Sequence, residues 1–170
     1  IKALVAKKLP VTSTILDLRQ DEPKNLAMFA PYSLYRTMHD TWLKMMKAGV
    51  ILGFGTGATP VTNGGGRIYS QTCQCSHGIQ AEHFVVLTEW GATPAYVLKM
   101  ATSVNAQIIH REKDLGSIEK GKYADIIATD GDPLQDITEI QSVTFVMKGG
   151  QVIKNQLVAA PVTTTASAER

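Results

Sequence analysis

The chain has 170 residues, a usual size for one domain, and 44% of them are hydrophobic, as expected of a protein that buries a core. Seventeen basic and fifteen acidic side chains leave a formal charge of +2, which is too small to favour a nucleic acid or an anionic membrane as a partner. The sequence contains no apolar run of about 18 residues, so we expect no membrane-spanning helix. Because the chain opens at Ile1 inside a helical pattern, we expect a preceding portion to be missing.

The compartment stays open between the cytoplasm and export with a lost signal peptide. The first residues lack the basic, apolar and small-residue order of a signal peptide. Cys73 and Cys75 are separated by one residue, which is poor geometry for a relaxed disulfide and no framework of the secreted kind.

The first third of the chain predicts a strand, an amphipathic helix and a second strand. A short helix from about Lys2 to Lys8 leads into Val11–Leu16, a segment rich in β-branched residues. Apolar residues then recur at helical spacing from about Pro31 to Ala48, and Gly49 suits the helix end. Val50–Phe54 is continuously apolar, as in strands buried on both faces of a parallel sheet. These elements predict one βαβ unit.

A long glycine-rich loop, residues 55–78, and two further helices follow. One helix is predicted from about Gln80 to Trp90, where Gly91 ends it. The next begins at Thr93, a good N-cap, with Pro94 at the first helical position. Long loops of this kind are often functional, so residues 55–78 are a candidate location for a functional site.

After about Lys113 the pattern predicts short β pieces and no further helix. Leu115–Ile118 and Ala124–Ala128 are β-like, and apolar runs flank Gly149-Gly150, a strong hairpin signal. We therefore divide the chain into residues 1–114, residues 115–157 and a disordered tail at residues 158–170.

Three segments of the sequence, the third being Val146–Gly150 of the predicted hairpin, resemble the amidohydrolase superfamily. Leu115–Ala128, LGSIEKGKYADIIA, with Asp130–Leu134, DGDPL, is very similar to the C-terminal signature of that superfamily. Gly91–Ala106 resembles its helix after the eighth barrel strand, and the nearest branch resembles imidazolonepropionases and Xaa-Pro dipeptidases. The resemblance implies an α/β fold: the last part of a (β/α)8 barrel, about strands seven and eight with their helices, plus strands of a small β-sandwich domain. The acids of the signature suit turns better than acid–base catalysis.

The resemblance also implies a metal-dependent hydrolase of C–N bonds whose site is mostly absent from this chain. In the family, divalent metals at the barrel mouth are bound by side chains of several strands and activate water. The chain would contribute the Asp after the eighth strand, where the family has Phe-Gly-Thr-Asp-Ala. Here that position is Gly57, which supplies neither a metal ligand nor a base. Three explanations stay open: a subfamily that uses another base, a non-catalytic relative, or a misaligned loop or sequence error.

In and beside the loop, the resemblance implies a substrate contact for Thr56 and a substrate-contact or proton-transfer role for His77. The alternative for His77 is a histidine that orders the loop. Cys73, Cys75 and His77 lie within five residues and include types that bind zinc. No fourth ligand is evident, so we assign this chain no metal ligand.

The remaining motifs have structural explanations. His39 and His83 fall inside helical patterns, and His110 lies at a helix end. Gly64-Gly65-Gly66 lacks the following Lys-Ser/Thr of a phosphate-binding loop, so we expect no nucleotide site.

The sequence thus predicts part of a hydrolase that acts on an amide, a cyclic amide or a dipeptide-like small molecule with metal-activated water. The metal, zinc first among the candidates, is expected in the full-length protein and not in this chain alone, which should be inactive. Expected partners are the substrate, the missing N-terminal portion and a second copy in a homo-oligomer. The rival hypothesis is a non-catalytic binding or scaffold relative that lost the Asp at position 57.

Overall fold

The computed structural model describes residues 1–15, 34–56, 78 and 80–157. Helices and strands alternate through the first part of the chain, and an antiparallel sheet lies near its C-terminal end. The predicted α/β class is therefore confirmed. The elements are α1 (Lys2–Ala6), β1 (Val11–Ile15), α2 (Leu34–Lys47), β2 (Leu52–Thr56), α3 (Glu82–Glu89), α4 (Pro94–Lys99), a π-helical turn (Met100–Val104), α5 (Asn105–Ile108), β3 (Ile126–Thr129), a 3-10 helix (Ile137–Gln141), β4 (Val143–Lys148) and β5 (Gln151–Asn155).

Strands β1 and β2 form a parallel pair, as the βαβ prediction requires. Their register runs from Val11 opposite Leu52 to Ile15 opposite Thr56. The second strand begins two residues later than predicted, because Val50 still belongs to the end of α2: its N–H donates to the Met45 carbonyl at 3.1 Å. Residues 31–33 of the predicted helix and residue 16 of the predicted strand lie outside the described residues.

The main core lies between this strand pair and the helices. Trp42 of α2 and Leu52 of β2 are almost fully buried, and the Trp42 ring lies 5.9 Å from that of Trp90. Burial of such side chains contributes roughly 1.5–3 kcal/mol each, so this cluster is the main apolar support of the strand pair. Its buried members are Trp42, Val50, Leu52, Val86, Leu87, Trp90, Ala92, Val97 and Met100.

Four helices end in the same left-handed turn. In each, a residue with positive φ follows the helix and the next N–H reaches back five residues to a carbonyl, which satisfies groups that the helix leaves open. The four residues with positive φ are Lys8, Gly49, Gly91 and His110. The corresponding bonds are Leu9 to Leu4, Val50 to Met45, Ala92 to Leu87 and Arg111 to Ala106.

The helix predicted from Thr93-Pro94 is present but irregular. The Thr93 hydroxyl accepts a hydrogen bond from the Tyr96 N–H at 3.2 Å, which confirms the predicted N-cap. Beyond Lys99 the hydrogen bonds widen into one π-helical turn, in which the Asn105 N–H donates to the Met100 carbonyl. A π turn inserts one extra residue and rotates everything that follows it.

Strands β3, β4 and β5 form an antiparallel sheet in that order. The predicted hairpin between β4 and β5 is confirmed, and both Gly149 and Gly150 have positive φ. The predicted β piece at Leu115–Ile118 is wrong: the Leu115 N–H donates back to the Arg111 carbonyl at 2.9 Å, and Gly116 has φ +89°. Residues 115–117 are bends that follow the left-handed end of α5.

The prediction of no helix after Lys113 is also wrong. A short 3-10 helix, Ile137–Gln141, precedes β4. The carboxylate of Asp136 accepts from the Thr138 N–H at 2.9 Å and starts the helix. Hydrogen bonds from the Thr138 hydroxyl and N–H lower the pKa of Asp136 below its usual range.

None of the helices in the described part of the chain is both long enough and apolar enough to cross a bilayer.

Candidate functional site

The carboxyl ends of β1 and β2 lie side by side. Ile15 and Thr56, the last residues of the two strands, are paired in register. In α/β proteins with parallel strands, ligands bind beyond the carboxyl ends of the strands. Thr56 is half-buried at this edge. We take this edge as the candidate site.

One face of β2 is fixed by an aromatic contact with α3. The rings of Phe54 and Phe84 lie 4.3 Å apart between centroids, with planes inclined at 32°. Aromatic pairs at this separation add roughly 0.5–1.5 kcal/mol beyond the apolar area that they bury. This contact thus packs β2 against α3.

The outer edge of β2 is closed by a side chain. In a parallel ladder, the backbone N–H and C=O groups of every second residue bond to the neighbouring strand. The Val11 N–H donates to the Ile51 carbonyl, so the backbone groups of Phe54 belong to the other set and point away from β1. Both are bound by Asn105. The Phe54 N–H donates to Asn105 Oδ1 at 3.1 Å, and Asn105 Nδ2 donates to the Phe54 carbonyl at 2.9 Å.

Gly53 makes room for this contact. A Cβ at position 53 would lie 2.5 Å from Asn105 Oδ1, 2.6 Å from Ile108 Cδ1 and 2.9 Å from Thr12 Oγ1. Real Cβ atoms essentially never come so close to other heavy atoms, so a larger residue at position 53 would require these side-chain ends to move.

Gly78 and Gln80 are anchored next to α3. The Gly78 N–H donates to Gln80 Oε1 at 2.8 Å, and Nδ1 of His83 lies 3.0 Å from the Gln80 carbonyl oxygen. His83 is 2% exposed, so it is part of the interior. These contacts tie Gly78 and Gln80 to one another and to the start of α3.

Of the predicted site residues, the structure places Thr56 at the carboxyl end of β2. Gly57 and His77 lie outside the described residues, as do Cys73 and Cys75 and the glycine run at residues 64–66. Their predicted roles therefore stay predictions.

The histidines in the described part of the chain have structural surroundings, as predicted. His39 is 2.9 Å from Asp40 Oδ1, and its ring meets Trp90 edge-on at 5.4 Å. His83 is buried beneath Gln80. His110 occupies the left-handed position after α5, with φ +57°.

The acids of the C-terminal signature act in turns. Asp125 accepts from the Gly149 N–H at 2.6 Å, and Asp132 accepts from the Leu134 N–H at 2.9 Å. Glu119 accepts from the Ser117 hydroxyl and pairs with Lys122, and these contacts, that with Ser117 first, lower the pKa of Glu119. The prediction that these residues form turns agrees with the structure.

An open groove of about 730 Å³ runs between α5 and the turns after it. Its described lining is mainly apolar and includes Thr12, Asn105, Ile109, Leu115 and Tyr123. Among its described lining residues the one ionisable carboxylate is Asp125, which already holds the Gly149 N–H. The groove thus brings no pair of acid and base together.

The described residues also do not form a metal centre. Within them, no group of three or more His, Cys, Asp or Glu side chains could hold a metal ion. The amidohydrolase family is generally metal-dependent, and the position where the resemblance places an Asp ligand is Gly57. The donors described here do not fit a metal, and we derive no chemical step through one.

Asn105 is the feature of this site that the sequence did not predict. In the sequence, Asn105 stands out only as part of the segment that resembles the family, and its partner Phe54 lies 51 residues away. The available signal was a carboxamide among apolar helix residues, since a half-buried polar group needs a partner.

A sequence model of the amidohydrolase family matches residues 4–153. Among solved structures, an Xaa-Pro dipeptidase with bound methionine in its active site is 32% identical, with TM-score 0.62, over 72% of this chain and 27% of that one. Molinate hydrolase is 28% identical, with TM-score 0.66, over 89% of this chain and 34% of that one. The ochratoxinase of A. niger shares the fold, with 24% identity and TM-score 0.70 over 91% and 34% of the two chains.

A search of the curated proteins finds no match. The match to the family model covers most of the chain, and the chain belongs to the amidohydrolase family. It spans about a third or less of the length of these solved relatives.

Proposed function

We propose that the chain is the C-terminal part of a longer hydrolase that cleaves a C–N bond of a small molecule, with water as the nucleophile. The family match over residues 4–153 carries this proposal. The substrate class we propose is an amide, a cyclic amide or a dipeptide-like compound. The dipeptide option is supported by the 32% identical relative, an Xaa-Pro dipeptidase.

In this proposal β1 and β2 are the seventh and eighth strands of a (β/α)8 barrel, and β3 to β5 belong to a small β-sandwich domain. The parallel pairing of β1 with β2 and the separate antiparallel sheet support the assignment. The other strands of the barrel would belong to a part of the full-length protein that corresponds to the unmatched part of the relatives. The chain alone would be inactive. A second copy of the protein is a further proposed partner.

We propose that the full-length protein binds a divalent metal, zinc first among the candidates. Because the described residues offer no metal-binding group, its ligands would come from elsewhere in the full-length protein. Gly57 makes the identity of the base the open chemical question, since glycine has no side chain to accept a proton. We propose that another residue serves as the base.

Gly57 also favours a second candidate: a non-catalytic binding or scaffold relative that kept the fold. The two candidates differ in what the rest of the protein contains. A His-x-His strand and later barrel histidines in the complete reading frame would support the enzyme, and their replacement would support the binding protein.

The test is an assay of the full-length protein with N-acyl amides, cyclic amides and Xaa-Pro dipeptides, together with its metal content. The proposal predicts turnover that a chelator abolishes and zinc restores. Gly57→Asp should retain or raise hydrolysis if the site is otherwise intact, and Gly57→Asn is the matched control without the carboxylate. Absence of both metal and turnover in wild type and Gly57→Asp would refute the enzyme.

A further inference from the structure

We infer that residues 115–157 act as a brace, a segment that holds α3 and α5 in fixed positions relative to each other. These two helices are the first and the last of the helical stretch between residues 82 and 108. The brace contacts both of them, and its own hydrogen bonds join the two contact points. This role goes beyond the proposed hydrolase activity and does not depend on it.

The first contact joins the start of the brace to α5 and the π-helical turn. Gly116 has φ +89°, and a Cβ at this position would lie 2.7 Å from the Ala106 Cβ and 2.9 Å from the Ser103 Cα. The second of these atoms belongs to the backbone, which cannot turn aside as a long side chain can. Ala106 is itself buried. The bend at Gly116 therefore packs directly on the helix.

The second contact joins the 3-10 helix of the brace to α3. Cα atoms of the 3-10 helix lie within 8 Å of those of α3. Ile137 of this helix is 7% exposed and is the one buried side chain of the brace, all of whose residues the structure describes. In turn, α3 packs on β2 through the rings of Phe84 and Phe54. The brace thus reaches the helix that supports β2.

Hydrogen bonds tie the first contact to the antiparallel sheet. The Tyr123 N–H donates to the Asp114 carbonyl at 2.9 Å, which closes the chain segment that contains Gly116. Close by in sequence, Asp125 accepts from the Gly149 N–H at 2.6 Å. The hairpin between β4 and β5 is therefore bonded to residues beside the first contact.

A second set of bonds ties the sheet to the 3-10 helix. Beyond the end of β3, the Gly131 N–H donates to Glu139 Oε2 at 3.2 Å, and the Thr129 hydroxyl donates to the Gly131 carbonyl at 2.8 Å. A Cβ at position 131 would collide with the Glu139 carboxylate, so glycine is the residue that fits there. The 3-10 helix is thus bonded to the end of a strand that pairs with β4.

Two contacts that are joined in this way should support each other. When one contact opens, the other must hold the brace alone, so local opening at the second contact becomes easier. The effect is reciprocal, because the coupling free energy between two sites is the same in both directions. Two independent contacts would show no such dependence.

A thiol at position 137 measures opening at α3. In the full-length protein with Ile137→Cys, the rate at which a maleimide labels this thiol reports how often the 3-10 helix leaves α3. Adding Gly116→Ala should raise the rate at least about tenfold, because overpacking at the first contact releases that end of the brace. Mass spectrometry of the labelled peptides distinguishes position 137 from Cys73 and Cys75.

Gly121→Ala is the matched control. Gly121 has φ +95°, close to the value at Gly116, but a Cβ there meets no atom within 4 Å. Both alanine variants therefore carry left-handed backbone strain, and only Gly116→Ala strikes the helix. Labelling in Gly121→Ala should stay within about twofold of the Ile137→Cys parent. Amides of β1 and β2 should keep their exchange rates in both variants, which marks local opening rather than global unfolding.

The reverse experiment releases the other end of the brace. Ile137→Ala should raise the exchange rate of the Leu115 amide, which donates to the Arg111 carbonyl, at least about threefold. Ala106→Gly removes only the methyl group nearest to Gly116 and should also raise labelling at position 137, so it replaces Gly116→Ala if that variant does not fold.

Three results would overturn the brace. One is equal labelling at position 137 in the Gly121→Ala control and in the variant that disturbs the first contact. Another is an unchanged exchange rate of the Leu115 amide in Ile137→Ala. The third is a rise in exchange that is the same at all amides, since it would mean that the whole fold opens together.

Discussion

Gly53 is the residue on which the contact between β2 and α5 depends most directly. Replacing it with alanine would press a methyl group against Asn105, Ile108 and Thr12. Overpacking of this kind costs about 1–3 kcal/mol, so Gly53→Ala should lower the free energy of unfolding by that amount in urea denaturation.

The partner substitution tests the cause of that loss. In the double variant Gly53→Ala/Asn105→Ala the closest obstacle to the new methyl group is gone. The double variant should therefore lose less free energy of unfolding than the two single variants lose together. Additive losses would mean that the methyl group is accommodated elsewhere. Gly49→Ala is a control that introduces backbone strain at φ +77° without any contact within 4 Å.

Glu119 gives a pH dependence whose sign follows from its contacts. Hydrogen bonds from Ser117 and Lys122 lower its pKa below the ordinary value of 4.5. A carboxylate with a lowered pKa stabilises the fold above the ordinary value, and this contribution is lost as pH falls through the folded pKa. We expect the turn at residues 117–122 to loosen below pH 4.5.

Amide exchange of the turn measured from pH 6 to pH 3 checks this expectation. Ser117→Ala removes the largest cause of the shift, so its turn should open at a higher pH than that of wild type. The effect on global stability should be small, because the group is fully exposed and water screens it. Equal opening in both proteins would contradict the assignment.

At the scale of elements, two left-handed helix ends carry side chains where glycine is easier. Lys8 and His110 have φ +51° and +57°, whereas the equivalent positions after α2 and α3 are glycines. Lys8→Gly and His110→Gly should each raise the free energy of unfolding by about 0.5–1 kcal/mol, because the left-handed strain exceeds the extra chain entropy of glycine.

The reverse substitution is the matched control. Gly91→Ala meets no atom within 4 Å, so its cost of about 1 kcal/mol should come from the backbone alone. Thermal unfolding of the three variants measures all of these effects. Destabilisation by His110→Gly would indicate that the imidazole makes a compensating contact.

The regular elements were predictable because their signals are local. The spacing of apolar residues in α2, the Thr93 cap and the paired glycines before β5 each act within a few residues. The π-helical turn was not predictable, since one extra residue changes the helical phase by only about 100° and leaves the composition helical. The short 3-10 helix depends on one Asp136 cap, a signal that also suits an ordinary turn.

The site was predictable only in part. The carboxyl end of β2 follows from the βαβ pattern, so Thr56 could be placed. Asn105 could not be assigned to Phe54, because their pairing arises from two elements that meet only after the chain has folded. Gly57 and His77 lie beyond what the described residues test.

At the scale of the whole molecule, the described part of the C-terminal half exposes much apolar surface. Ile118 is 81% exposed and Ile153 is 63% exposed. Large exposed apolar side chains of this kind favour association with other apolar surfaces. We expect the 170-residue chain on its own to bind a hydrophobic dye and to self-associate in sedimentation velocity experiments.

Charge at the exposed positions should reverse that behaviour. The variant Ile118→Lys/Ile153→Lys should sediment closer to a monomer, with secondary structure unchanged by circular dichroism. Ile137→Lys is the matched control, because Ile137 is 7% exposed and its replacement should unfold the chain locally. A monodisperse wild-type monomer that binds no dye would contradict the expectation.

The edge contact at Phe54 makes unequal demands on the side chains of its two residues. Phe54 offers Asn105 only its backbone, so many side chains at position 54 would preserve the two hydrogen bonds. Position 105 needs a carboxamide of one length. We expect related sequences to vary at position 54 together with Phe84, its aromatic neighbour. The carboxamide at position 105 should persist wherever β2 keeps this edge.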